Sequence, residues 1–187
     1  MESRTHTALT RRRLLQALGI GLPLLGGGLP LQARALARAE RRLSFHNLHT
    51  GEHLTTCYWA EGRYLASECQ AIDHLLRDFR TGDIHPIDRR LLDLLYVLQR
   101  QVRGKGPFQV ISGYRSPATN RMLRQRGHHV ALHSMHLQGK AIDIRLPGCS
   151  LRHLHRAALA LRAGGVGYYP RSNFVHVDTG RVRSWRG

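Results

Sequence analysis

The stretch Ser134-Met135-His136-Leu137-Gln138-Gly139-Lys140-Ala141-Ile142-Asp143 sets a histidine and a carboxylate on either side of a glycine turn. Glycine permits the tight reversal, so the strand that follows carries Asp143 back toward His136. Ala141 and Asp143 lie two apart and share one strand face, and the small Ala141 leaves room beside the carboxylate. Imidazole and carboxylate are suitable zinc ligands. Phe174-Val175-His176-Val177-Asp178 offers a third ligand, His176, on a second strand. Three protein ligands leave the fourth tetrahedral position open, as a catalytic centre requires.

Two further residues belong to the candidate chemistry. Asp178 lies two beyond His176 on an extended strand, so both face the same side, and Asp178 is the candidate general base. The other role open to it is to orient a ligand histidine through its free ring nitrogen. Arg115 sits where a strand ends and a helix capped by Ser116-Pro117 begins. A guanidinium there can neutralise a developing oxyanion or grip a substrate carboxylate, set against the plain alternative of one surface arginine among many. Of the 13 histidines, His128, His129, His133, His153 and His155 have no partner at informative spacing and stay unassigned.

These side chains need strands and turns to carry them. Residues 43–50 read as a first strand. His53 to Trp59 and Arg63 to Ala66 flank Ala60-Glu61-Gly62 as a hairpin. Ser67 is placed to cap a helix over Glu68 to Arg80, and a second helix spans Ile87 to Val102. Phe108 to Tyr114 reads as a strand, and the helix after Ser116-Pro117 ends near Gly127. Lys140 to Leu146, Val166 to Tyr169 and Phe174 to Thr179 complete the strands, with a helix from Leu151 to Ala163. With no repeated β-α-β pattern, the expected class is α+β: a small, mostly antiparallel sheet carrying the zinc site, flanked by helices.

Residues 1–37 read as an address. Thr10-Arg11-Arg12-Arg13-Leu14-Leu15-Gln16 matches the twin-arginine consensus, a glycine-rich apolar run reaches Leu31, and Ala35-Leu36-Ala37 supplies a cleavage pattern. The expectation is export to the periplasm and a single domain over 38–187, with no membrane span after cleavage. After residue 37 the chain keeps 24 basic and 11 acidic residues. That excess favours polyanionic partners, among them a wall polymer rich in carboxylates. An aromatic fraction of 6% argues against a stacking platform, and no nucleic-acid partner is expected. Cys57, Cys69 and Cys149 form no C-x-x-C pair. In an oxidising compartment Cys57 and Cys69 could bridge, the alternative being free buried thiols.

The His/Asp segment resembles the LAS superfamily of zinc peptidases, named for lysostaphin, D-Ala-D-Ala peptidases and the Hedgehog amino-terminal domain. Ser112-Gly113-Tyr114-Arg115-Ser116-Pro117 with Asn120, Gly164 to Tyr169, His176 to Gly180, Arg183-Ser184-Trp185 and Thr50-Gly51-Glu52 make it similar to the MepK-type murein endopeptidases. The resemblance implies a Hedgehog/DD-peptidase-like fold, zinc on His136, Asp143 and His176, Arg115 facing the scissile carbonyl, and peptide cross-links of peptidoglycan as substrate. A monomer is expected. Many superfamily members place a general base just before the third ligand, whereas Asn173 and Phe174 stand there and neither can take a proton. A carboxypeptidase trimming terminal D-alanine is the alternative that the same site allows, and a non-catalytic zinc-bearing wall-binding module is the one that this departure leaves open.

Overall fold

The structure is a computed structural model that describes residues 40–187, apart from 105, 128 and 129. The export segment expected over residues 1–37, and His128 and His129, lie outside the described residues. Among the described residues, eight strands form one sheet: β1 (Arg41–Asn47), β2 (His53–Ala60), β3 (Arg63–Tyr64), β4 (Phe108–Ser112), β5 (Ala141–Arg145), β6 (Gly165–Tyr169), β7 (Phe174–Asp178) and β8 (Arg183–Arg186). Their order is β3-β2-β1-β4-β5-β7-β6-β8. Four helices accompany them: α1 (Ala66–Leu75), α2 (Arg89–Gln101), α3 (Pro117–Gln125) and α4 (Leu151–Leu161), with a 3₁₀ turn at Met135–Gln138. The class is α+β and the sheet is mostly antiparallel, as expected. It is mixed rather than pure, because β1 runs parallel to β4 and β6 parallel to β8.

Alternation along the strands separates two faces. Leu43, Phe45, Phe108, Val110, Ile142, Ile144, Val166, Val175 and Val177 turn to one face and pack with Ile72, Leu91, Leu95, Leu98 and Leu154 from the helices. Burying each such side chain contributes about 1.5–3 kcal/mol. The alternate positions of the same strands are Ser44, His46, Gln109, Asp143, Arg145, Gly167, His176 and Asp178. This second face carries the chemistry.

Several expectations are corrected in detail. Helix α1 begins at Ala66 with Leu65 as a cap that offers no side-chain bond, so Ser67 is not the cap. It stops at Leu75 rather than Arg80 because its terminal carbonyls are claimed from elsewhere. Asn47 Nδ2 donates to Leu75 O at 2.9 Å and Tyr114 N to Leu76 O at 2.8 Å. Helix α2 starts two residues late because the Asp88 side chain accepts from Arg90 N. The hairpin is right, with Glu61 and Gly62 both at positive φ (52° and 77°), the two-residue turn that matches strand twist. All three cysteines are free thiols. Cys57 alternates with the buried Thr56 and Tyr58, whereas Cys69 sits on the buried stripe of α1, so the two thiols belong to opposite sides of β2. Strand β8 was not expected: it has four residues, and Trp185 is its one apolar side chain, too few to set a pattern. Among the described residues, no helix is long and apolar enough to cross a membrane.

Candidate metal centre and active site

Asp143 and His176 are directly opposed in the antiparallel β5–β7 pair, as are Ala141 and Asp178. His136 arrives from the 3₁₀ turn. Ser134 caps that turn by accepting from His136 N, and Gly139 ends it in the left-handed region at φ 62°. A Cβ at Gly139 would lie 2.4 Å from Pro86 O, so both conformation and space demand glycine there. The turn is tied to the neighbouring loop twice. The His136 Nδ1 donates to Gly113 O at 2.7 Å, and Arg115 N donates to His136 O at 3.2 Å.

That first bond puts the His136 proton on Nδ1 and leaves a bare Nε2. On His176 the Nε2 donates to Asp178 Oδ2 at 3.0 Å, leaving a bare Nδ1. These two nitrogens stand 3.2 Å apart, and Asp143 Oδ1 lies 2.8 Å from His176 Nδ1 and 3.3 Å from His136 Nε2. Three ligand-type atoms therefore converge, an arrangement suited to a cation. The three ligand atoms all lie within 4.8 Å of one another and all three residues are buried. Two imidazoles and one carboxylate fit a tetrahedral zinc with an open position.

The electrostatics suit a metal at His136 and Asp143, whereas at His176 they favour the protonated ring. Burial pulls the His136 imidazole below its usual range, favouring the neutral ligand form. Burial alone would raise Asp143, but His136 and His176 overcome it and hold the carboxyl ionised, well below the usual range. Burial would lower His176, and its bonds to Asp143 and Asp178 raise it instead.

Arg115 lines the cleft beside the three ligands. Its guanidinium makes no ion pair among the described residues, and its buried Nε has no partner. Burial lowers its pKa, with Asp143 opposing, yet a guanidinium stays charged at physiological pH. Asp78 holds this residue's backbone in place. It is 1% exposed, and its carboxylate accepts from Ser116 N at 2.8 Å and Arg80 N at 2.9 Å. Nothing in the spacing of Asp78 marks it in the sequence.

Asp178 shares the strand face of His176, as alternation requires, but it lies behind that ring and outside the cleft. It is fully buried and receives five hydrogen bonds, from Gly165 N, Gly180 N, both Arg183 Nη atoms and His176 Nε2. Burial would raise its pKa, but His176, Arg183 and Gly180 hold it well below the usual range. A carboxylate so engaged has no free oxygen for water. Expecting Asp178 beside the open coordination position overlooked Arg183, which strand β8 brings across from outside the motif.

The cleft of about 670 Å³ is also walled by His133, Tyr169, Phe174 and Trp185. Strand register places Asp143, His176, Gly167 and Trp185 in one row. Gly167 has no side chain to separate Trp185 from His176: a Cβ there would meet the indole at 2.7 Å, and the two rings lie 5.1 Å apart. His153 and His155 belong to α4, away from this cleft.

A family profile described as peptidoglycan L,D-endopeptidase MepK matches residues 35–185. The peptidoglycan L,D-endopeptidase MepK of Escherichia coli K12 is 46% identical over 176 residues, covering 93% of this chain and 96% of that protein. A Haemophilus influenzae protein named as a probable peptidoglycan L,D-endopeptidase MepK is 43% identical over 174 residues, covering 92% of each. No solved structure matches the chain.

Proposed function

The chain belongs to the family of the peptidoglycan L,D-endopeptidase MepK, and from that premise we propose that it hydrolyses peptide cross-links of peptidoglycan, with zinc held by His136, Asp143 and His176. The observation that carries this reading is the convergence of three electron-pair donors, from an opposed strand pair and a turn, inside a cleft that also holds an unpaired arginine. When bound there, zinc supplies Lewis acidity toward a carbonyl and a water.

The protein's own residues do the rest. Arg115 places a desolvated positive charge where the carbonyl oxygen of a bound peptide becomes an oxyanion, and removing such a donor costs roughly 100-fold or more in kcat. Asp178 acts as a positioning residue: it fixes the tautomer and orientation of His176, and Arg183 fixes Asp178. The L,D specificity named for the relatives is proposed for this chain as well. Export by the twin-arginine route, action in the periplasm as a monomer, and a single catalytic domain over 38–187 belong to the same proposal.

Digestion of purified sacculi with zinc-loaded protein, followed by mass analysis of the released muropeptides, tests it. Loss of cross-linked dimers with matching monomers is expected, and the stereochemistry of the new ends distinguishes L,D from D,D cleavage. Release of terminal D-alanine alone would make the enzyme a carboxypeptidase, and no release would leave a wall-binding module. Replacing Arg11 and Arg12 by Lys is expected to leave uncleaved precursor inside the cell; normal maturation would remove the proposed route.

A further inference from the structure

The cleft has no general base at the position used by many superfamily members, and Asp178 is closed off behind His176. Beside Ser134, Ser172 and the arginines 183 and 186, the wall carries two polar rings, His133 and Tyr169. His133 is exposed and makes no hydrogen bond among the described residues. Tyr169 differs in being held. Its ring stacks on Phe174 with centroids 4.4 Å apart, and its Oη accepts from Trp185 Nε1 at 2.7 Å.

The direction of that bond matters. An indole nitrogen only donates, so the phenol oxygen must accept there, and its own proton is left for another partner. No other hydrogen bond to this hydroxyl exists among the described residues, and the side chain lines the cleft. Trp185 in turn stands against His176 through the gap at Gly167 and carries Arg183 over its face at 4.9 Å. The hydroxyl is thereby anchored to the same row as the metal ligands. Arg115 lines the same cleft.

We infer that Tyr169 is a catalytic residue that donates a hydrogen bond from its hydroxyl to the oxyanion of the tetrahedral intermediate, with Arg115 as the second donor and Trp185 as the positioning residue for the phenol. The inference rests on the proposed peptidase function. Preorganised donors of this kind act without reorganisation during the reaction, and losing one costs ~100-fold in kcat.

The test is Tyr169→Phe in the full-length zinc-loaded protein, compared with the parent on sacculi and on a soluble cross-linked muropeptide. Expected is a fall of kcat by ~100-fold with KM within about threefold and one zinc retained. A phosphinate dipeptide, which mimics the tetrahedral species, should weaken by a similar factor, whereas the product peptide should bind unchanged. Retention of kcat and phosphinate affinity within twofold of the parent would overturn the inference. So would equal weakening of product and phosphinate, since that marks a general binding contact. Trp185→Phe provides a second variant that keeps the hydroxyl but releases it. A drop of several-fold in kcat at constant KM supports the role, and an unchanged kcat opposes it even if Tyr169→Phe fails to fold. A parent protein that cut neither substrate would count against the proposed function, and phosphinate affinity alone would then decide for or against Tyr169.

Discussion

Ile142 and Asp143 are neighbours on β5 and both are buried, yet they belong to different worlds. Ile142 is fully enclosed among the apolar side chains of the helices, whereas Asp143, on the other face, meets two imidazoles. The same contrast separates Val177 from His176 and Asp178. Apolar burial is non-directional, so the helix side tolerates substitution of similar volume. The open side is built from directed bonds in which His136, Asp143, His176 and Asp178 each answer a named partner, and removing one leaves another unsatisfied. One strand thus serves stability with its even residues and chemistry with its odd ones.

The sharpest way to break this division is to remove a ligand. His176→Ala should abolish cross-link cleavage and tight zinc binding, because it also leaves Asp143 and Asp178 without the imidazole between them. Zinc content measured after dialysis checks this, and full occupancy would remove His176 from the centre. Chelating the parent protein should likewise lower its melting temperature, since a site absent from the unfolded chain links binding to folding.

Ile142→Ala tests the other face, one residue from a ligand. It should cost about 2–5 kcal/mol in denaturant unfolding, while zinc affinity of the folded protein stays unchanged. A large loss of zinc affinity would show that the two faces are mechanically coupled. Asp178→Asn sharpens the comparison on the open side. It should weaken zinc binding about 10- to 100-fold, with activity falling in step at limiting metal and recovering in excess zinc. Activity that stayed low at full zinc loading would return Asp178 to a direct chemical role.

The smallest expected effect is one of pH. Burial would raise the Asp78 carboxyl, but the backbone bonds from Ser116 and Arg80 bring it below the usual range. A depressed folded-state pKa gives stability that is present above the unfolded value near 3.9 and is lost as pH falls through the folded value. Asp78→Asn should therefore be less stable than the parent by ~1–3 kcal/mol above about pH 5. The gap should narrow in more acid solution. A gap independent of pH down to about 2.5 would exclude the linkage.

Much of the site was legible before any coordinates. The positions from Ser134 to Asp143 read as a histidine, a tight glycine turn and a returning strand, all local features whose physics lies within a few residues. The cap at Ser116 was equally local, as was the hairpin turn at Glu61-Gly62. Helix α1 was overextended because the signal that stops it is supplied by Asn47 and Tyr114, distant in sequence. Strand β8 has too little pattern to announce itself, and with it Arg183 and Trp185 were assigned no place in the cleft.

By itself, then, the sequence determined the α+β class, the two strands and the turn that bear His136, Asp143 and His176, and the convergence of these three. Periodicity and turn chemistry depend on near neighbours, so a linear reading reaches them. Only the tertiary structure decided which side of His176 faces Asp178, that Arg183 closes off this carboxylate, and that Asp78 anchors the Arg115 loop. It also decided that Gly167 lets Trp185 reach His176 and hold Tyr169. Those facts depend on strand order and register, which join residues far apart in the chain through hydrogen bonds that no local pattern encodes.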